Sequence, residues 1–107
     1  MPHELHTIVS GPPAGDSNAV VVWIHGVDSD ASVWDPAIEL VSASHRCVAV
    51  DLLGHGASPV SNDEGDYRRE PVLADIDAVL DGVRAESPGA PIAVSYTHLR
   101  AHETTNY

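Results

Sequence analysis

Three apolar runs and one periodic stretch carry most of the pattern along this chain. Ala19-Val20-Val21-Val22-Trp23-Ile24 shows no polar alternation. An unbroken β-branched run of that length predicts a strand buried on both faces, as parallel sheets require. Arg46 to Val50 and Ala90 to Val94 repeat the character. From Pro71 to Val83, Val72, Leu73, Ile76, Val79, Leu80 and Val83 recur at helical spacing, which places Asp75, Asp77 and Asp81 on the outward face of a helix. A shorter helix is predicted to start at Asp35-Pro36, with Asp35 as cap and the proline at the first helical position, where a missing N–H costs nothing. Trp34, Ala37, Ile38, Leu40 and Val41 are its apolar residues. Glu4 to Ser10 alternates loosely and reads as an edge strand, followed by the turn cluster Gly11 to Asp16. Asp28 to Ser32 and Val60 to Asp66 read as polar loops. The order is therefore strand, strand, helix, strand, helix, strand.

Chemistry gathers where two of these strands end. The first central run closes on His25-Gly26, and the second on Asp51-Leu52-Leu53-Gly54-His55-Gly56-Ala57-Ser58. In an open α/β sheet, ligands bind at loops that leave the carboxyl ends of the strands. Gly54 and Gly56 permit positive φ and close backbone approach, while Asp51 and His55 can hydrogen-bond the loop into place. With Trp34 between them, these motifs resemble the N-terminal portion of an α/β-hydrolase of the esterase/lipase-like kind, over residues 4 to 92.

That resemblance implies an α/β fold class, a partial α/β-hydrolase fold. Its sheet is mostly parallel with an N-terminal antiparallel edge strand, and residues 19–24 are central between 46–50 and 90–94. It implies a serine-type enzyme acting on carboxylic esters or related acyl compounds, without cofactor or metal. The main-chain N–H of Val27 would contribute to the oxyanion hole, where preorganised donors stabilise the tetrahedral intermediate. His25, Gly26, Asp51, Gly54, His55, Gly56 and Ser58 would form the scaffold of the active-site loops. No catalytic residue is assigned. The G-x-S-x-G turn expected after the 90–94 strand does not appear, and Ser95 lacks both flanking glycines. Cys47 lies mid-strand as a small hydrophobe, and His55 is not the triad base in this reading. The chain is accordingly expected to be truncated before the nucleophile elbow and inactive.

Residues 93–107 have a separate explanation. Val94 to Thr104 matches, residue for residue, the translation of a transposase-type sequencing-library adapter. Residues 1–92 are read as the N-terminal part of the domain and residues 93–107 as a non-native tail, excluded from fold reasoning. His98 and His102, four apart, have the spacing of a zinc pair but no third ligand, and are not read as a metal site.

Composition narrows the partners. The 107 residues carry 16 acidic side chains against five arginines and no lysine, a formal charge of −11. Nucleic acid and anionic membrane surfaces need clustered positive charge, so neither is expected; a small-molecule, ester-like substrate is. A single cysteine excludes an internal disulfide. No signal peptide or membrane span is read, and a cytoplasmic location is expected. Composition sets no oligomeric state. The alternative from a different class is a small, non-catalytic α/β interaction module.

Overall fold

The central strand β2 (Val20–Ile24) takes partners on both sides. The computed structural model describes residues 2–14, 19–26 and 29–96, so the expectations for Val27, His98 and His102 lie outside the described residues. β1 (Thr7–Ser10), β2, β3 (Arg46–Val50) and β4 (Ile92–Tyr96) form one sheet in the order β1-β3-β2-β4. β2 runs parallel to both β3 and β4, and β1 lies antiparallel on the outer edge of β3. The expected centre, neighbours and antiparallel edge are those observed.

Register follows from the two-sided burial of β2 and β3. Val22 sits opposite Val48 and Ile24 opposite Val50, so one face of the sheet presents Val20, Val22, Ile24, Val48 and Val50. Helix α2 (Arg69–Glu86) covers that face with Ile76 and Val83, joined by Val72, Val79 and Leu80. The other face presents Trp23, Cys47 and Ala49, covered by Ala31, Trp34 and helix α1 (Asp35–Val41) through Ala37, Ile38 and Val41. A one-residue slip would exchange the two sets and mismatch both helices. Cys47 is fully buried here as a small apolar side chain.

Several local expectations are corrected. Asp75 does not face outward: it is 1% exposed and bonded to His3. Leu40 is left 79% exposed, because the buried stripe of α1 runs through residues 34, 37, 38 and 41. Asp35 is the first residue of α1 rather than its cap, and Pro36 follows inside the first turn. Ahead of it, Ala31–Trp34 winds into a 3-10 turn capped by the Asp30 side chain, within what reads as polar loop. The 60–66 loop likewise ends in a 3-10 turn, Glu64–Tyr67, capped by Asp63. β1 is shorter than Glu4 to Ser10, and β4 is shifted two residues toward the C-terminus, so it crosses position 93. Pairing along β4 is a main-chain matter, and Ala93-Val94 continues the apolar character that any such strand needs. Among the described residues no helix is long and apolar enough to cross a membrane.

Candidate active-site floor

The carboxyl ends of β2 and β3 lie side by side, Ile24 opposite Val50, which brings the loops that follow them together. His25 joins them. Its ring is fully buried, its Nε2 accepts the Leu52 N–H at 3.0 Å, and its Nδ1 lies 2.6 Å from the Gly26 carbonyl oxygen. A main-chain N–H can only donate and a carbonyl only accept, so these partners fix one tautomer: proton on Nδ1, lone pair on Nε2. Burial is the main reason the His25 pKa falls below its ordinary 6.5; the bond to Gly26 opposes it, and nearby His55 adds to it. His25 is thus a neutral peg between two loops.

Asp51 organises the second loop from beneath. The carboxylate is 4% exposed and accepts the Ala31 N–H at 2.8 Å, the Ala57 N–H at 3.1 Å and His6 Nδ1 at 2.9 Å. Burial alone would raise its pKa. The bonds from Ala31, His6 and Ala57 outweigh that and hold it below 3.8. The main chain of Asp51 is tied as well: its N–H donates to His6 O at 3.0 Å, and its carbonyl accepts the Ser58 hydroxyl. The Gly54 N–H closes the loop onto Pro59 O at 2.7 Å.

Both glycines of this loop have a steric reason. Gly56 has φ +50°, and a Cβ there would strike the Asp51 carboxylate. Gly54 has φ +75°, and a Cβ would come within 2.8 Å of the Tyr67 ring. Larger residues would therefore displace the groups that shape the loop.

His25, Gly26, Asp51, Gly54, His55, Gly56 and Ser58 all fall in this one region. The His55 ring lies 5.0 Å from that of His25 between centroids, with its Nδ1 2.9 Å from Leu53 O. Ser58, His6 and Asp51 have the composition of a catalytic triad but not its wiring. The Ser58 hydroxyl is buried, donates to a carbonyl and accepts the main-chain N–H of His6 at 2.7 Å, so no imidazole stands ready to take its proton. Sequence reasoning missed His6, Ala31 and Tyr67. His6 meets Asp51 and Ser58 across 45 and 52 residues, a separation that no local pattern encodes. A groove of about 540 Å³, lined by residues including Arg84, Pro91 and Ile92, opens at the opposite end of the sheet and touches none of these residues. Among the described residues no three His, Cys, Asp or Glu side chains are placed to hold a metal ion.

A family model for the alpha/beta hydrolase family matches residues 21–97, which include both loop motifs. The chain belongs to the α/β-hydrolase family. It is 33% identical over 79 residues to a haloalkane dehalogenase of Mesorhizobium japonicum, a match covering 74% of this chain and 25% of that protein. It is 34% identical over 68 residues to a pimeloyl-[acyl-carrier protein] methyl ester esterase of Aliivibrio salmonicida, covering 64% and 22%. Among solved structures, an α/β-hydrolase-superfamily epoxide hydrolase from metagenomes of hot environments superposes with a TM-score of 0.64 at 25% identity, over 72% of this chain and 25% of that one. This α/β-hydrolase chain spans about a quarter of the length of the relatives it matches.

Proposed function

We propose that residues 1–92 form the oxyanion-loop half of the active site of a serine-type hydrolase acting on small carboxylic esters or related acyl compounds. The observation that carries this reading is the His25 peg, which locks the β2 loop to the β3 loop at 3.0 Å, at the sheet end where α/β enzymes bind ligands. In the proposed reaction a serine attacks the acyl carbon, a histidine oriented by an acid takes the serine proton, and the carbonyl oxygen becomes an oxyanion. Val27, next after His25-Gly26, would supply one of the N–H groups that hold it. His25, Gly26, Asp51, Gly54, His55, Gly56 and Ser58 then position main chain rather than move protons. The similarity to a methyl ester esterase supports the ester assignment. A cytoplasmic location and the absence of a cofactor belong to the same proposal.

The 107-residue chain itself is proposed to be inactive, since its sequence holds no G-x-S-x-G. Purified chain assayed with p-nitrophenyl acetate and butyrate should match its heat-denatured control. Saturable, heat-labile turnover would overturn this and return attention to Ser95 or Cys47. The substrate assignment is tested by grafting the matched segment into the esterase relative and into the dehalogenase relative. Ester hydrolysis retained, with halide release lost, supports the ester reading. The reverse favours displacement at saturated carbon, the chemistry suggested by similarity to a haloalkane dehalogenase.

A further inference from the structure

We propose that two copies of this chain pair through the outer edge of β4, as an antiparallel dimer about a two-fold axis at Val94. β4 (Ile92–Tyr96) ends the sheet, and among the described residues no strand lies beyond it. The Val20 N–H donates to Pro91 O at 2.9 Å, with Val20 opposite Ile92 in the parallel register. That phase turns the main-chain groups of residues 91, 93 and 95 toward β2. Ile92, Val94 and Tyr96 therefore hold their N–H and C=O groups outward, three donors and three acceptors along one edge.

An edge of this kind is a template for another strand, and proteins commonly guard it with charge, proline or a bulge. Ile92-Ala93-Val94-Ser95-Tyr96 carries no charge and no proline, and its register with β2 is unbroken. β1, the other edge, runs directly into Gly11-Pro12-Pro13, where the prolines offer no N–H to a ladder.

The geometry selects a second copy as the occupant. With Val94 opposite Val94 of the second copy, Ile92 falls opposite its Tyr96, and Tyr96 opposite its Ile92. Every outward donor and acceptor on both strands then has a partner, and no other centre within β4 achieves this. Side chains agree with the main chain. Ile92, Val94 and Tyr96 share the sheet face of Val20, Val22 and Ile24, and Val94 is 44% and Tyr96 67% exposed. Ile92 lines the groove of about 540 Å³ together with Arg84, Ala90 and Pro91. The two-fold sets the exposed Tyr96 ring of each copy beside that groove on the other, the self-complementarity that a closed dimer needs.

Val94 and Tyr96 lie within residues 93–107, so the seam is a property of the 107-residue chain. It is small, since specific interfaces begin near about 1,000 Å². The pair is therefore weak, and the formal charge of −11 on each copy opposes it until salt screens the repulsion.

The test is sedimentation equilibrium on the full chain. Its mass should rise reversibly from one copy toward two, and no further, between about 10 μM and about 1 mM, as a weak interface predicts. Raising salt from about 0.05 M to about 0.5 M should move that rise to lower concentration. Over the same concentrations, amide hydrogen exchange should gain about two- to tenfold protection at Ile92, Val94 and Tyr96 by mass action, and less at Ala93 and Ser95, which face β2 in either state. Val94→Pro removes the central outward donor but no bond to β2. Val94→Lys keeps that donor and sets like charges directly opposite each other. Both variants should stay at one copy with Ala93 still protected; where Val94→Pro loses that protection, Val94→Lys decides. A wild-type mass of one copy throughout, or growth beyond two, overturns the proposal. So does wild-type assembly in the deciding variant, or full protection of residues 92, 94 and 96 at the lowest concentration, as when another segment of the same chain covers the edge.

Discussion

The floor and the rim lie at the same end of the sheet but are held by opposite means. In the floor, His25 and Asp51 are buried and their partners are largely main-chain N–H and C=O groups. At the rim, where the Glu64–Tyr67 turn meets residues 2–6, His3 Nε2 lies 3.3 Å from Asp66 Oδ2 and both side chains are partly exposed. Buried bonds to fixed backbone dipoles are little screened, whereas exposed ion pairs are weak and fade with salt. A catalytic floor needs a fixed shape over a range of conditions.

The largest expected effect is at Asp51. Asp51→Ala leaves the buried Ala31 N–H without a partner, at about 1–3 kcal/mol, and also removes the part-buried bonds to Ala57 and His6, so urea unfolding should show a loss of about 2–5 kcal/mol. Against a total stability of about 5–15 kcal/mol for a domain, that brings the chain close to unfolding. A loss smaller than that of any rim variant would reverse the contrast.

His25→Leu, which keeps bulk but removes the acceptor for Leu52, should cost about 1–3 kcal/mol. It should also remove one feature of the pH profile. The folded pKa of His25 lies below 6.5, so the unfolded chain binds that proton first. Its contribution is full above 6.5 and shrinks as pH falls from there toward the folded value. Asp51 acts in the same direction at lower pH. Its folded pKa lies below 3.8, so its contribution is present above 3.8 and is lost as pH falls through the folded value. Urea midpoints measured from neutral to acid pH should thus decline in two stages, with the first absent in His25→Leu.

The smallest effect is expected at Tyr67, which is 40% exposed. Tyr67→Phe removes its bonds to the Ser61 N–H and carbonyl and should cost no more than about 1 kcal/mol in urea midpoint measurements, while loosening the 61–67 amides in hydrogen exchange. A cost equal to that at Asp51 would erase the distinction between floor and rim.

The sheet was legible because burial on both faces writes itself as unbroken apolar sequence in β2 and β3. The loop motifs were legible because glycines are required where Gly54 and Gly56 turn with positive φ. What the sequence hides is polar burial with a distant partner. Asp75 lies between the apolar positions Val72 and Ile76 of α2, and the helical pattern read with its charge places it outward. Its charge argued for solvent, and His3, 72 residues away, decides the matter. Leu40 shows the reverse case: an apolar residue beside the stripe of α1 that finds nothing to cover it. The cap of α1 falls one residue earlier than expected, at Trp34, which makes no side-chain cap bond, while Asp30 caps the 3-10 turn ahead of it.

Residues 2–6, which carry His3 and His6, also set an order of assembly. Their contacts span 45 to 72 residues, to Asp51, Ser58 and Asp75. Closing loops of that length costs entropy that only the finished contacts return. On the ribosome residues 2–6 are made before α2 and must wait for it before His3 has a carboxylate to meet, so they should dock after β2, β3 and α2 have condensed. Contacts of such high sequence separation slow folding more than they strengthen the fold. The floor's last hydrogen bonds, from the His6 N–H to Ser58 and from the His6 ring to Asp51, would then be made by a residue that precedes both floor loops in the chain.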